Sequence, residues 1–297
     1  MIRGMLYSVI SAICYGLMAI MAKLGFAAGM DTWGMLQHRF AFGALILAVV
    51  LLIRNPAALR PSPRLLAKAA LLGCVFYVFQ SVLFFMALER IPASTTALVF
   101  YFYPVAVTLL SALIFRLRID RCVVASLTLV MLGCALVFYD AFLKGLSGAG
   151  VFYALASMIL FSAYLIAVQL LLKNEEPLQA TFFVVLFAAL AFTVINGPGT
   201  ILQLNSFERL GIGLSLGIIP TAVAISLLYL AIEKIGSAWT SIFSTFEPVA
   251  TLAAAGLILG EQVVALQLFG VAFIVAGIVL PNARMLTARK VTGTKAA

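Results

Sequence analysis

The sequence predicts an all-α polytopic membrane protein with ten transmembrane helices in two inverted five-helix repeats. Three observations carry this. The chain has 297 residues, 65% hydrophobic and only 10% charged, whereas a soluble domain carries about 25% charge. So little charge cannot cover the surface of a water-soluble fold of this size. The apolar stretches also run unbroken for about 20 residues, the length that crosses a bilayer as a helix. They do not alternate every second residue as barrel strands do. Finally, the sequence repeats itself at an offset of 144. A soluble enzyme, a nucleic-acid module and a disordered chain are excluded by composition.

Reading between the charges gives the helices in order. The first, 5–27, follows Arg3 and stops at Ala28-Gly29. It could pass for a signal peptide, but its counterpart in the second half argues against cleavage. The second, 33–53, runs between Asp31 and Arg54, and the third, 68–88, follows the basic stretch Arg60 to Arg64. Glu89-Arg90-Ile91-Pro92 makes a minimal turn into the fourth, 93–115, which contains Pro104. The fifth, 122–139, starts after Arg121, and the sixth, 148–171, stops before Lys173. The seventh, 178–196, follows Pro177, and the eighth, 211–232, ends at Glu233-Lys234. The ninth, 238–259, contains Pro248 and ends at Gly260-Glu261, and the tenth, 265–284, precedes a basic tail. The domain division is therefore 1–141, 145–285 and a tail 286–297. No connection is long enough for a soluble domain.

The net charge of +9 resides between the apolar runs, as cytoplasmic loop charge does. Placing the N-terminus inside puts most of the 19 Lys and Arg on the cytoplasmic side. Both termini are then cytoplasmic and the Glu89-Arg90 turn is outside. The four cysteines lie in or beside apolar runs without metal or redox spacing, and read as packing residues.

The repeat is direct in sequence. Ala87-Leu88-Glu89-Arg90-Ile91 matches Ala231-Ile232-Glu233-Lys234-Ile235, and Pro104-Val105 matches Pro248-Val249. Helices 1 and 2 align with 6 and 7 less well, with small gaps. Five spans per unit is an odd number, so the second unit enters the membrane the other way up. Such repeats are the structural basis of alternating access.

Candidate working residues follow from polar groups inside apolar helices. Thr240, Ser244, Glu247 and Thr251 share one face of helix 9. Glu247 falls near mid-membrane, where a carboxylate costs on the order of 3 kcal/mol. It could hold a substrate ammonium, exchange a proton, or serve as a hydrogen-bond knot beside the Pro248 kink. Helix 4 presents Thr96, Phe100 and Tyr103, with Tyr101 adjacent and Pro104 as its kink; helix 3 presents Tyr77 and Gln80. Gln80 could bond a substrate or a neighbouring helix. Together these would line a substrate cavity that suits an apolar body with a cationic head. Lys23, His38 and Arg39 lie in the outer half of the membrane. Lys23 can snorkel to the interface; Arg39 would pair with Asp31, backbone carbonyls or a substrate carboxylate.

Glu247-Pro248-Val249 followed by Leu259-Gly260-Glu261, with Arg39-Phe40 and Tyr103-Pro104-Val105 in the first half, resembles EamA-domain carriers of the drug/metabolite transporter superfamily. The likeness covers nearly the whole chain and looks most like YddG-type bacterial exporters of neutral and aromatic amino acids. It implies a multi-pass carrier of the bacterial inner membrane with a small-molecule substrate, the lipid bilayer as its other partner and no cofactor, metal or nucleic acid. A non-transporting membrane subunit is the alternative. A membrane-embedded enzyme is disfavoured by the single histidine and the absence of a catalytic motif, and no P-loop links the chain to ATP.

Overall fold

The computed structural model describes residues 2–88, 90–91, 93–116, 119–139, 147–197, 206–260 and 264–293. Glu89, Lys144 and Glu261 lie outside them, as does the end of the tail, and of Lys23 only the helical backbone is described. Regular structure among the described residues is entirely helical. Among the described residues, seven helices are long and apolar enough to cross a membrane: α1 (Ile2–Ala27), α2 (Thr32–Arg54), α3 (Pro63–Ala87), α4 (Thr96–Phe115), α6 (Gly148–Leu171), α7 (Pro177–Asn196) and α8 (Phe207–Ser244). Three more are apolar but shorter or only partly apolar: α5 (Arg121–Val137), α9 (Glu247–Leu259) and α10 (Ala265–Gly293).

Local chemistry sets the starts. Asp31 accepts from Gly34 N, Ser62 from Leu65 N, Asp120 from Val123 N and Ser206 from Arg209 N. Each supplies an acceptor to an N–H that has no partner in the first turn. Pro63 and Pro177 occupy first turns, where a missing N–H costs nothing. The cap at Ser62 starts α3 before the predicted residue 68, and α10 runs past 284 into the tail.

The predicted gap between helices 8 and 9 falls inside α8, at Gly236. Its φ of 77° and ψ of 165° leave the helical region, and glycine adopts them without the Cβ penalty. The N–H of Ser237, which opens the following segment, donates to Gln169 Oε1 of α6 at 2.6 Å. Two further breaks correspond between the halves, a turn at 101–102 before Pro104 and one at 245–246 before Pro248. The prolines therefore open new helical segments, where sequence suggested kinks in continuous helices.

The packing contacts also recur. Ser11 Oγ donates to Ala224 O at 2.8 Å, and Ser157 Oγ donates to Gln80 O at 3.1 Å. Gly4 lies against Ile235, and Gly150 against Ile91. Gly217 lies against Phe42 and Gly43, while Gly73 lies against Phe187 and Ala188. The α5–α10 crossing repeats within itself: Gly133 meets Gly270 and Ile274, and Gly277 meets Ser126 and Val130. Corresponding partners stand 144 to 146 residues apart, so the two halves share one architecture.

At one end of the bundle Lys68 pairs with Glu175 at 2.6 Å, and Gln179 donates to Ala58 O. At the other, Arg209 donates to Ala28 O, Asn196 donates to Gln37, and Arg90 stacks over Tyr153. Large apolar side chains such as Leu113, Val194 and Leu257 face outward, as a bilayer solvent allows.

Candidate functional site

Arg39 belongs to α2 and is 5% exposed. Its Nε donates to Thr221 Oγ1 at 3.0 Å, and its Nη2 donates to Tyr77 OH at 3.3 Å and Pro220 O at 3.4 Å. Tyr77 and Thr221 occupy corresponding positions in the two halves, each within or beside a π-helical stretch, Leu71–Tyr77 and Ile218–Val223. The second stretch has a local cause. Pro220 has no N–H to offer Leu216 O, and the Thr221 hydroxyl donates to that carbonyl instead at 2.8 Å. The same hydroxyl oxygen then receives Arg39. Asp31, a predicted partner of Arg39, is engaged as the cap of α2, whereas the predicted backbone carbonyl is present as Pro220 O.

Arg39 opens onto a cavity of about 630 Å³, counting the open space at its mouth. Phe84, Phe85, Phe100 and Phe161 form an aromatic wall; Tyr77, Gln80, Ser81, Tyr101 and Glu247 supply polar groups, and Tyr15, Met18 and Ala97 complete the lining. Phe100 meets Phe84 edge-on and Phe161 at a tilt, with ring centroids 5.1 and 5.2 Å apart, and the edge-on contact is one that aromatic quadrupoles favour. Glu247 lies in the first turn of α9, where the positive end of the helix dipole favours a carboxylate. The corresponding breaks at 101–102 and 245–246 bring Tyr101 and Glu247 within hydrogen-bonding reach. Glu247 and Arg39, an acid and a base, line the same space.

Among the residues singled out from sequence, Tyr77, Gln80, Phe100, Tyr101, Glu247 and Arg39 line this cavity. Gln80 also donates to Ser157 Oγ of α6 at 3.2 Å, the neighbouring-helix bond of its two alternatives. The hydroxyl stripe beside Glu247 turns elsewhere. Thr240 donates to Gly236 O, Ser244 pairs with Ser8 of α1 at 3.1 Å, and Thr251 donates to Gly16 O and Glu247 O. Tyr103 is buried, edge-on to Phe161 and within reach of Ser244. Thr96 is buried, as are Pro104 and Pro248 at the two breaks. His38 is buried and stacks on Phe42.

Sequence reasoning missed Tyr15, Met18, Ser81, Phe85, Ala97, Phe161 and the role of Thr221. Tyr15 and Phe161 stand 146 residues apart, so allowing the two-residue shift of the first helices would have paired them as facing aromatics.

A second cavity of about 600 Å³ lies toward the opposite end, lined by Gln169, Lys173, Tyr229, Glu233 and Gly236 among others. Between the two stands a row of tyrosines. Tyr77 lines the first cavity and meets Tyr164 edge-on at 5.2 Å. Tyr164 OH and Tyr229 OH are 2.6 Å apart, and Tyr229 lines the second cavity.

Among curated proteins no sequence relative matches. A crystal structure described only as that of a protein matches with a TM-score of 0.78 over 97% of this chain and 98% of the other, at 19% identity, a likeness of fold. The model of the EamA-like transporter family matches residues 2–139 and again residues 148–282. Two copies of that domain, meeting at a cavity that holds an arginine and a glutamate, account for nearly the whole molecule, and the chain belongs to the EamA-like transporter family.

Proposed function

We propose that the protein is a carrier that exports neutral or aromatic amino acids, or related small metabolites, by alternating access. It crosses the bacterial inner membrane ten times, with both termini cytoplasmic and its two halves inverted. The carrying observation is an asymmetry between corresponding positions of the two halves. Phe84, Phe85 and Phe100 are partly accessible, while their counterparts Leu228, Tyr229 and Ser244 are buried. If the two halves exchange conformations, the first cavity closes and its counterpart opens beyond the tyrosine row, the motion inverted repeats permit. The passage count is supported by α8. Its 38 residues far exceed the roughly 20 a single crossing needs, and Gly236 turns the chain within it. The amino-acid class is supported by the aromatic wall and the two charges of the cavity, together with the motif resemblance.

The test is uptake of a radiolabelled amino-acid panel into liposomes holding only this protein. Uptake of at least one member above empty liposomes is expected. A non-transporting subunit would move none, and that result would sink the carrier reading.

Sidedness has its own check. A single cysteine placed at position 90 on a cysteine-free background should react with an impermeant thiol reagent from outside the cell. Reaction only from the cytoplasmic face would reverse the orientation.

A further inference from the structure

Resting on the reading of the protein as an amino-acid carrier, we propose that Arg39 and Glu247 read the two charges of a zwitterion. The guanidinium takes the substrate carboxylate, the Glu247 carboxylate takes the substrate ammonium, and the apolar side chain lies against Phe84, Phe100 and Phe161.

Charge balance is the first ground. A charged group inside the membrane is costly, and partners or water must offset it. Among the described residues no carboxylate lies within ion-pair distance of Arg39; its partners Thr221, Tyr77 and Pro220 O are all neutral. Its opposite charge is Glu247, which lines the same cavity. With Glu247 ionised, the empty site is neutral as a whole while each charge stays available to a guest. A zwitterion keeps that sum at zero and gives each group a direct partner. A guest with a single charge pairs one group and leaves the other facing an excess.

Donor geometry is the second ground. The hydrogen bonds of Arg39 use Nε and Nη2, and Nη1 makes none among the described residues. The neutral clamp, contributed by both halves of the protein, fixes the plane of the guanidinium. The Nη1 amino group is left to donate to one carboxylate oxygen, and as a donor without acceptor capacity it suits a carboxylate and not an ammonium. Tyr101 stands beside Glu247 in the lining of the cavity. The aromatic wall accounts for the remainder of the guest.

The experiment uses the full chain in liposomes. Exchange of labelled phenylalanine is competed by phenylalanine, by phenylalanine amide, which lacks the carboxylate, and by 3-phenylpropionate, which lacks the ammonium. In the wild type, phenylalanine should outcompete each one-charge analogue about 30-fold or more, the lower range for truncating one member of a desolvated charge pair. Arg39→Gln should bring phenylalanine down to the level of its amide, and Arg39→Lys should restore part of the difference. A size-exclusion profile like that of the wild type shows that each variant is folded. Equal competition by all three compounds in the wild type would overturn the two-charge assignment, as would an unchanged phenylalanine-to-amide ratio in folded Arg39→Gln. Failure to exchange phenylalanine also overturns it, whereas failure to move any amino acid of the panel removes the carrier reading itself.

Discussion

Glu247→Gln is expected to fold and to bind substrate about 30-fold or more weakly. Glutamine preserves the shape of the side chain and its hydrogen-bonding reach to Tyr101, so the break before Pro248 should keep its form. What it removes is the negative charge opposite Arg39. Losing one partner of a desolvated charge pair costs about 2–5 kcal/mol, and here the loss also leaves the guanidinium without compensation inside the membrane. Two other outcomes have distinct signatures. If Glu247 carries a coupling proton, the variant should keep substrate exchange between two equal compartments and lose its response to a pH gradient. If it is a hydrogen-bond knot at the break, the variant should transport like the wild type and show the same pH behaviour. Exchange measured with and without a pH gradient separates the three.

Gly133→Ala is expected to lower stability by about 1–3 kcal/mol, the range for forcing a methyl group into a full site. A Cβ at this position would stand 2.6 Å from Gly270 O and 2.8 Å from Ile274 N. Both are backbone atoms of α10, so no side chain can swing away, and the helices must separate along a crossing that glycines hold close. Gly211→Ala is the matched control. It lies in α8 with no atom within 4 Å of its Cβ position, and alanine there should gain about 0.4–1 kcal/mol by restricting the unfolded chain. Thermal unfolding in one detergent should therefore move the two variants in opposite directions. A Gly133→Ala midpoint at or above that of the wild type would contradict the tight crossing.

Much of the scaffold was legible because a bilayer admits few solutions. Unbroken apolar runs between charges place the helices, and the repeat offset links the two halves before any contact is known. The division at Gly236 was marked by the polar turn Glu233-Lys234, although its position depended on a backbone angle. The site was legible in part. Arg39 and Glu247 are conspicuous because charges are rare in such helices, and Tyr77, Gln80, Phe100 and Tyr101 share the cavity with them. Periodicity failed for Thr240, Ser244 and Thr251. It correctly places residues on a face, but it does not say which neighbour that face meets. Here the hydroxyls go to α1 and to the helix's own carbonyls. The clamp on Arg39 was illegible for a different reason. It depends on a carbonyl freed by Pro220 and on a hydroxyl shared between that carbonyl and the guanidinium, an arrangement that appears only once α2 and α8 are side by side.

The correspondence between the halves stops at the two ionisable residues of the cavity. Glu247 stands where the first half has Tyr103, and the contacts of Phe42 and Phe187 place Arg39 opposite Val184. Duplication copied the frame and left the two poles single. If the two halves exchange conformations as proposed, α2 and α9 carry the same arginine and glutamate into both arrangements. On that proposal, a passenger gripped by both poles would keep its compass heading throughout the crossing, and only the doors on either side of it would change.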